Sequence, residues 1–101
     1  MTTKTVRDAV YELLTLIPKG RVTTYKELGR AVNTGGYRAI GVILNRNPNA
    51  PKVPCHRVVM SDGSIGGYVG GVDQKERLLK SEGIEISEGK VVDFASRLYR
   101  F

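Results

Sequence analysis

The sequence is poor in the residues that build metal sites, disulfides and membrane spans. Its 101 residues include one cysteine, one histidine and no tryptophan. One cysteine cannot form an internal disulfide, and a single cysteine with a single histidine is too few ligands for a closed zinc site. No apolar run reaches the roughly 18–20 residues of a transmembrane helix, and the first residues do not resemble a secretory signal. We therefore expect an intracellular protein, cytoplasmic or nuclear in a eukaryote, with no metal, no cofactor and no membrane partner.

Acidic residues are also outnumbered by basic ones. The chain has 16 lysines and arginines against 10 aspartates and glutamates, a net charge of +6. This excess favours a polyanionic partner, because contact with phosphates releases condensed counterions and requires no sequence match. A basic surface kept for solubility is the alternative that charge alone leaves open. Many of the basic residues lie in the first 57 residues, which also contain Cys55 and His56.

The first half of the chain has the pattern of a helix-turn-helix. The length and the absence of repeats or linkers predict a single domain over residues 1–101. Apolar residues at helical spacing predict a first helix over residues 5–17. Thr24 and Glu27 form a capping box that starts a second helix, which runs to about residue 32. A glycine-containing break at residues 33–36 separates it from a third helix over residues 37–45.

The second half is expected to contain short strands and one longer helix. Three prolines between residues 47 and 54 exclude a helix and stiffen the loop before Cys55. Residues 57–60 and 64–65 flank a turn and predict a small hairpin. Residues 73–76 cap a further helix, which continues through Glu82 and ends at Gly83. A second hairpin around residues 88–89 and a short helix from residue 93 complete the predicted chain.

Cys55 and its two neighbours are the residues with the clearest chemical potential. A thiol has a reference pKa near 8.5, so it needs a base or a positive field to become a nucleophile at neutral pH. His56 and Arg57 follow directly, but side chains of successive residues diverge in an extended segment, so we expect a water to link Cys55 to His56. A carboxylate on the other imidazole nitrogen would fix its tautomer, and Glu82 is a candidate. The alternative is a buried, inert cysteine beside a hydrogen-bonded histidine.

Several motifs in the same order resemble the C-terminal domain of O6-alkylguanine-DNA alkyltransferases. The central motif is Pro54-Cys55-His56-Arg57-Val58. It is preceded by Tyr37-Arg38-Ala39-Ile40-Gly41 and Asn47-Pro48, and followed by Gly66-Gly67-Tyr68 and Leu78-Leu79-Lys80-Ser81-Glu82-Gly83. The resemblance covers roughly residues 5–83. It implies a mainly α fold with short β elements, a winged helix-turn-helix-like DNA-binding domain that enters the minor groove and flips the damaged guanine out of the duplex.

The resemblance also implies roles for individual residues in the transfer reaction. Cys55 would accept the alkyl group irreversibly, and His56 would be the water-linked base. Glu82 would polarise His56, and Asn47 would brace the turn that carries the cysteine. The implied partner is double-stranded DNA containing O6-alkylguanine, and we expect the protein to act as a monomer without a cofactor.

Further residues are implied in DNA binding and in the pocket for the flipped base. Tyr25 would press on the phosphate and hydrogen-bond the base, and Arg38 would fill the gap left in the duplex. Ala39 and Gly41 are small enough to let the recognition helix approach a narrow groove, and Arg46 is a further predicted DNA contact. The base pocket would be lined by Val53, Tyr68 and Val69.

Two departures from the family pattern bear on function. The larger family members have an additional N-terminal domain, which this sequence lacks, so we expect a minimal form. Val69 replaces the serine or other small residue that many relatives have near the alkyl pocket, which affects the size of adduct that fits.

Two other functions are considered beside alkyl transfer. Short alkyltransferase-like proteins have tryptophan at the cysteine position and only bind lesions; Cys55 favours transfer over this sensing role. A winged-helix transcription factor would bind specific duplex sequences, but it would not explain the Cys55-His56-Arg57 motif after three prolines.

Overall fold

The computed structural model describes residues 5–33 and 37–101, and its first helix, α1, spans Val6–Leu14. Thr5 caps this helix, since its hydroxyl accepts a hydrogen bond from the Asp8 amide at 3.1 Å. The predicted helix began one residue earlier and ended three residues later. Residues 15–17 instead form a turn whose amides bond to carbonyls three residues back, and Ile17 remains buried. The apolar periodicity thus continues beyond the helix itself.

Helices α2 (Tyr25–Ala31) and α3 (Tyr37–Asn45) form the predicted helix pair. The Thr24 half of the predicted capping box is confirmed: the Thr24 hydroxyl accepts a hydrogen bond from the Glu27 amide at 3.0 Å. The two helices pack against each other. Most of the predicted glycine-containing break, residues 34–36, lies outside the described residues.

The first strand pair is not the predicted hairpin. Strand β1 (Thr23–Thr24) pairs in parallel with β2 (Val58–Val59), so that Thr23 lies opposite Val58. The predicted turn over residues 61–63 does form, but Ile65 bonds to Gly89 and does not extend a ladder with β2. Val58 and Val59 are both fully buried. Burial on both faces is typical of strands in a parallel pair, which is the pairing that β2 makes with β1. The prediction of the turn was right, and that of the strand partner was wrong.

Helix α4 (Val72–Ser81) begins before the predicted cap. Gly71, with φ of 97°, precedes the helix, and no side chain caps it. Asp73 therefore lies inside the first turn, where its negative charge interacts favourably with the positive end of the helix dipole. The predicted end at Gly83 is confirmed: Gly83 has φ of 88°, and the Ile84 amide bonds back to the Leu79 carbonyl at 3.1 Å.

The remaining chain forms the predicted second hairpin and short helix. Strands β3 (Ile86–Ser87) and β4 (Lys90–Val91) are antiparallel, and the two residues between them both have positive φ, as a tight hairpin requires. Helix α5 (Phe94–Arg97) follows Asp93.

The core consists of two buried clusters. The first gathers side chains from α1, α2, α3 and the segment around Cys55, and the second gathers β-strand residues with Leu79 and Ile84. No helix in residues 5–33 and 37–101 is long and apolar enough to cross a membrane.

Candidate active site

Cys55 lies at the start of a single turn of 3₁₀-helix, Cys55–Arg57, between the proline-containing loop and β2. The sequence predicted an extended segment here, with Arg57 in a strand. The 3₁₀ turn still directs neighbouring side chains apart, because successive residues rotate by about a third of a turn. Cys55 is 3% exposed and His56 is 1% exposed. Both side chains are therefore buried, and Cys55 belongs to the first core cluster.

Asn47 holds the loop that leads to the cysteine. Its amide nitrogen donates to the Val53 carbonyl at 2.7 Å, and its oxygen accepts from the Asn49 amide at 3.0 Å. The Asn47 side chain also lowers the pKa of the Cys55 thiol, against the effect of burial. Asn47 is 5% exposed, so these contacts use a buried amide. The contacts are those expected of a residue that braces the turn.

Glu82 links the end of α4 to the residues after the cysteine. Its Oε2 atom lies 2.9 Å from His56 Nε2, the contact that the sequence suggested. Arg57 donates to both carboxylate oxygens, from Nε at 2.9 Å and from Nη2 at 2.6 Å. Arg57 Nη1 also donates to the Ile17 carbonyl at 2.8 Å. Sequence reasoning treated Arg57 only as a nearby charge, because nothing local indicates a carboxylate partner 25 residues away.

The charges of this cluster fix the tautomer of His56. Burial pushes the pKa of Glu82 upwards, but hydrogen bonds from Arg57 and His56 outweigh it and hold that pKa below its ordinary value. Burial lowers the pKa of His56 despite the carboxylate, so the imidazole is neutral at pH 7. An ionised carboxylate only accepts hydrogen bonds, so Nε2 carries the imidazole proton. Nδ1 is then a buried acceptor, and among the described residues it has no hydrogen-bond partner.

Lys75 is a buried cation that sequence reasoning missed. It is 0% exposed, and its ammonium donates to the Val58 carbonyl at 2.6 Å and the Gly67 carbonyl at 3.0 Å. Burial lowers its pKa to about 8. Its position four residues before Leu79, on the buried face of α4, is the signal that could have identified it.

The thiol itself is protonated in this environment at neutral pH. Burial raises the pKa of Cys55, and the Asn47 side chain and the Lys75 charge oppose this effect without cancelling it. The positive neighbours therefore do not create a resting thiolate. A base is needed to remove the proton during any reaction.

A cleft of about 370 Å³ opens between the starts of α2 and α3 and the residues after β2. Its lining residues are Tyr25, Lys26, Arg38, Gly41, Asn45, Met60, Ser61 and Gly67. Burial raises the pKa of Tyr25, so its hydroxyl is a protonated donor at neutral pH. The cleft thus combines two cations, a phenol and the small Gly41 of α3.

The other predicted residues lie around this cleft or away from it. Tyr68 and Val69 line a second groove of about 240 Å³ together with Asn47, and the Tyr68 ring meets His56 edge-on at 6.4 Å. Val53 is half-buried, and its carbonyl accepts from the Cys55 amide at 2.8 Å. Ala39 is exposed on α3 and does not line the cleft. Arg46 lines a separate pocket with Arg7 and Tyr11 of α1.

Comparison with known families and proteins finds close sequence relatives. Residues 5–84 match the family described as 6-O-methylguanine DNA methyltransferase, DNA binding domain. A methylated-DNA–protein-cysteine methyltransferase of Methanosarcina barkeri is 51% identical over 79 residues, which are 75% of this chain and 49% of that protein. A bifunctional methyltransferase/endonuclease of Picrophilus torridus is 47% identical over 83 residues, 81% of this chain and 28% of that protein. The chain thus spans half or less of these relatives.

Solved structures show the same fold. The O6-methylguanine-DNA methyltransferase of Pyrococcus kodakaraensis matches with a TM-score of 0.72 and 47% identity, over 77% of this chain and 46% of that one. S. pombe Atl1, in complex with damaged DNA containing O6-carboxymethylguanine, matches with a TM-score of 0.85 and 27% identity over all of both chains. The mainly helical, helix-turn-helix-like fold class predicted from the sequence is therefore confirmed.

Proposed function

Since the chain belongs to the 6-O-methylguanine DNA methyltransferase family, we propose that it repairs DNA by moving an alkyl group from O6-alkylguanine to Cys55. The observation that carries this proposal is the hydrogen-bonded cluster of His56, Glu82 and Arg57 directly after a buried thiol. Such a cluster leaves a neutral imidazole with one free acceptor nitrogen. That nitrogen is the base that a protonated thiol requires.

The transfer is a displacement at the alkyl carbon. The Cys55 proton passes through a water to His56 Nδ1, and the sulfur attacks the carbon bonded to O6. The sulfur–carbon bond forms as the carbon–O6 bond breaks, and the guanine keeps the electron pair of that bond. The displaced guanine then takes up one proton, so the products are guanine and a thioether. A thioether has no good leaving group, so each molecule reacts once.

Two neighbours assist the thiol at the moment when negative charge develops on sulfur. Asn47 and the charge of the Lys75 ammonium both lower the pKa of the thiol, so both favour the thiolate. Both are buried and fixed by backbone contacts, so they need little rearrangement as the charge appears. Lys75 also ties α4 to β2 and to Gly67 at the edge of the cleft.

The cleft supports engagement of a damaged duplex. Lys26 and Arg38 supply positive charge at the starts of α2 and α3, as phosphate contact requires. Arg38 would fill the gap left by the flipped guanine, and Tyr25 would donate a hydrogen bond to the extruded base. Ala39 and Gly41 leave room for α3 in a narrow groove. Arg46 would contact the phosphate backbone of the DNA outside the cleft.

Intact-protein mass spectrometry tests the proposal. Mixing the protein with a duplex that contains one O6-methylguanine should add the mass of one methyl group in place of a hydrogen, in a one-to-one ratio. The Cys55→Ser variant is the control and should show no gain. Tight binding to the methylated duplex without any gain would instead indicate a lesion sensor.

A further inference from the structure

Residues 85–101 lie beyond the matched family region, residues 5–84, and yet they are integral to the second core cluster. Ile86 and Val91 are 9% and 6% exposed and pack with Val22 and Ile65. The end of the segment runs beside Val22, whose amide donates to the Arg97 carbonyl at 2.9 Å and whose carbonyl accepts from the Tyr99 amide at 2.6 Å. The segment is therefore anchored at both of its ends.

The segment also contacts a turn that forms part of the cleft. We define the cleft turn as residues 60–64; its Met60 and Ser61 line the same cleft as Gly41 and Asn45 of α3. The turn is closed internally, since the Met60 amide donates to the Ser64 carbonyl at 2.8 Å. The position of the cleft turn relative to α3 therefore depends on its contacts with other segments of the chain.

Three contacts from residues 85–101 hold the cleft turn. The Val91 amide donates to the Gly63 carbonyl at 2.9 Å, and the Ile65 amide, directly after the turn, donates to the Gly89 carbonyl at 3.0 Å. The Phe94 ring lies directly against Gly63, where an added Cβ would be only 3.4 Å from the ring carbon Cγ. Neither Gly89, Val91 nor Phe94 is among the described residues that line the cleft.

We propose that residues 85–101 act as a brace that fixes the cleft turn and so sets the fit of the cleft to damaged duplex DNA, an inference that rests on the proposed function. Phe94 is the side chain that transmits this support, and it is a positioning residue. Within the described structure, no hydrogen bond joins residues 85–101 to Cys55, His56 or Glu82. The brace should therefore affect use of the duplex and not the reactivity of the thiol.

The test compares two reactions of the Phe94→Ala variant. The first is methyl transfer from an O6-methylguanine duplex at limiting protein concentration, and the second is alkylation of Cys55 by iodoacetamide, which needs no cleft. We expect the duplex rate to fall at least fivefold and the iodoacetamide rate to stay within twofold of wild type. The Phe94→Leu variant, which keeps apolar packing on Gly63, should recover most of the duplex rate. Leu16→Ala is the control, because Leu16 is a 57% exposed apolar residue that lies outside the brace and does not line the cleft; both of its rates should be unchanged.

Other outcomes would overturn the inference. An unchanged duplex rate in Phe94→Ala would show that the cleft turn holds its position without the brace. An equal loss of both rates, or unfolding at the assay temperature, would show that Phe94 supports the fold as a whole. Failure of the wild-type protein to transfer methyl from DNA would contradict the proposed function instead, and is seen before any variant is made.

Discussion

At the scale of single residues, the site depends on the Glu82 carboxylate, which accepts hydrogen bonds from both the Arg57 guanidinium and the His56 imidazole. Glu82 accepts from Arg57 through both oxygens and from His56 through one. Arg57 keeps the carboxylate ionised, and the ionised carboxylate in turn orients His56 so that Nδ1 is the acceptor. The basicity of His56 therefore depends on a residue 26 positions away in sequence.

Replacing Glu82 with glutamine should slow alkylation of Cys55. The amide lacks the negative charge that raises the pKa of His56 against the lowering effect of burial, so the imidazole becomes a weaker base. We expect the iodoacetamide rate at pH 7 to fall by about tenfold, with its rise displaced to higher pH. The rate measured against pH for wild type and variant checks this.

The control for this variant is Glu76→Gln, which removes a carboxylate from the same helix. Glu76 pairs only with Lys80 at 3.3 Å among the described residues, on the surface of α4. Its pH profile should match wild type. If the profiles of Glu82→Gln and wild type coincide, Glu82 does not affect the basicity of His56 and only ends the helix.

Lys75 should make stability depend on pH in the alkaline range. Its pKa is lowered from 10.5 to about 8, so between these values the unfolded chain binds more protons than the folded one. Its contribution to stability therefore rises with pH, by up to about 1.4 kcal/mol per pH unit. The difference in unfolding free energy between wild type and Lys75→Met, from urea titrations at pH 7 to 10, should increase in favour of wild type. A difference that does not change with pH would contradict a buried ammonium at Lys75.

Sequence reasoning found some of these residues and missed others for identifiable reasons. Glu82 could be predicted because His56 needs a second partner and the end of a predicted helix offered a carboxylate. The Arg57 contacts could not be predicted, because they depend on how the turn after α1, the end of α4 and the 3₁₀ turn of Cys55–Arg57 meet in space. Lys75 was missed because lysine is rarely fully buried, and its two carbonyl partners belong to distant backbone segments.

At the scale of secondary structure, helices were more predictable than strands. Periodicity and the Thr24 cap located α2 and α3, since both signals are local. The strands are only two residues long, and β1 pairs with a segment 35 residues further along the chain. A parallel pair of that kind leaves no turn signal in the sequence, so a local hairpin was predicted in its place.

Helix α3, the proposed recognition helix, carries a prediction of its own through Arg38. If Arg38 fills the gap in the duplex, its planar, stacking guanidinium matters, and lysine is a poor substitute. Arg38→Ala and Arg38→Lys should both slow transfer from duplex DNA by at least about tenfold more than transfer from free O6-benzylguanine, which needs no flipping. The ratio of the two rates is the measurement.

Arg30→Lys provides the control for Arg38, because Arg30 is an exposed arginine of α2 outside the cleft. Its rate ratio should equal that of wild type. An unchanged ratio in both Arg38 variants would leave Arg38 as a surface charge, and an unchanged ratio in Arg38→Lys alone would make it a simple phosphate contact.

At the scale of the whole molecule, the two core clusters support different parts of the proposed site. The first cluster contains Cys55 and Val58 of β2, and the second contains Val59 of β2, Leu79 of α4 and Ile86 and Val91 of the C-terminal brace. The two clusters therefore meet at β2, the strand directly after the 3₁₀ turn that begins at Cys55. The packing of the C-terminal residues was not predictable, because their partners lie some 25 to 75 residues earlier in the chain.

The central claim is that Cys55 is the alkyl acceptor and that DNA binding does not depend on its sulfur. The most direct measurement follows loss of the methyl group from an O6-methylguanine duplex under single-turnover conditions, with affinity for the same duplex measured in parallel. Cys55→Ser should bind within a few-fold of wild type and remove no methyl group, while wild type removes one per molecule. Removal of methyl by Cys55→Ser at the wild-type rate would contradict the claim.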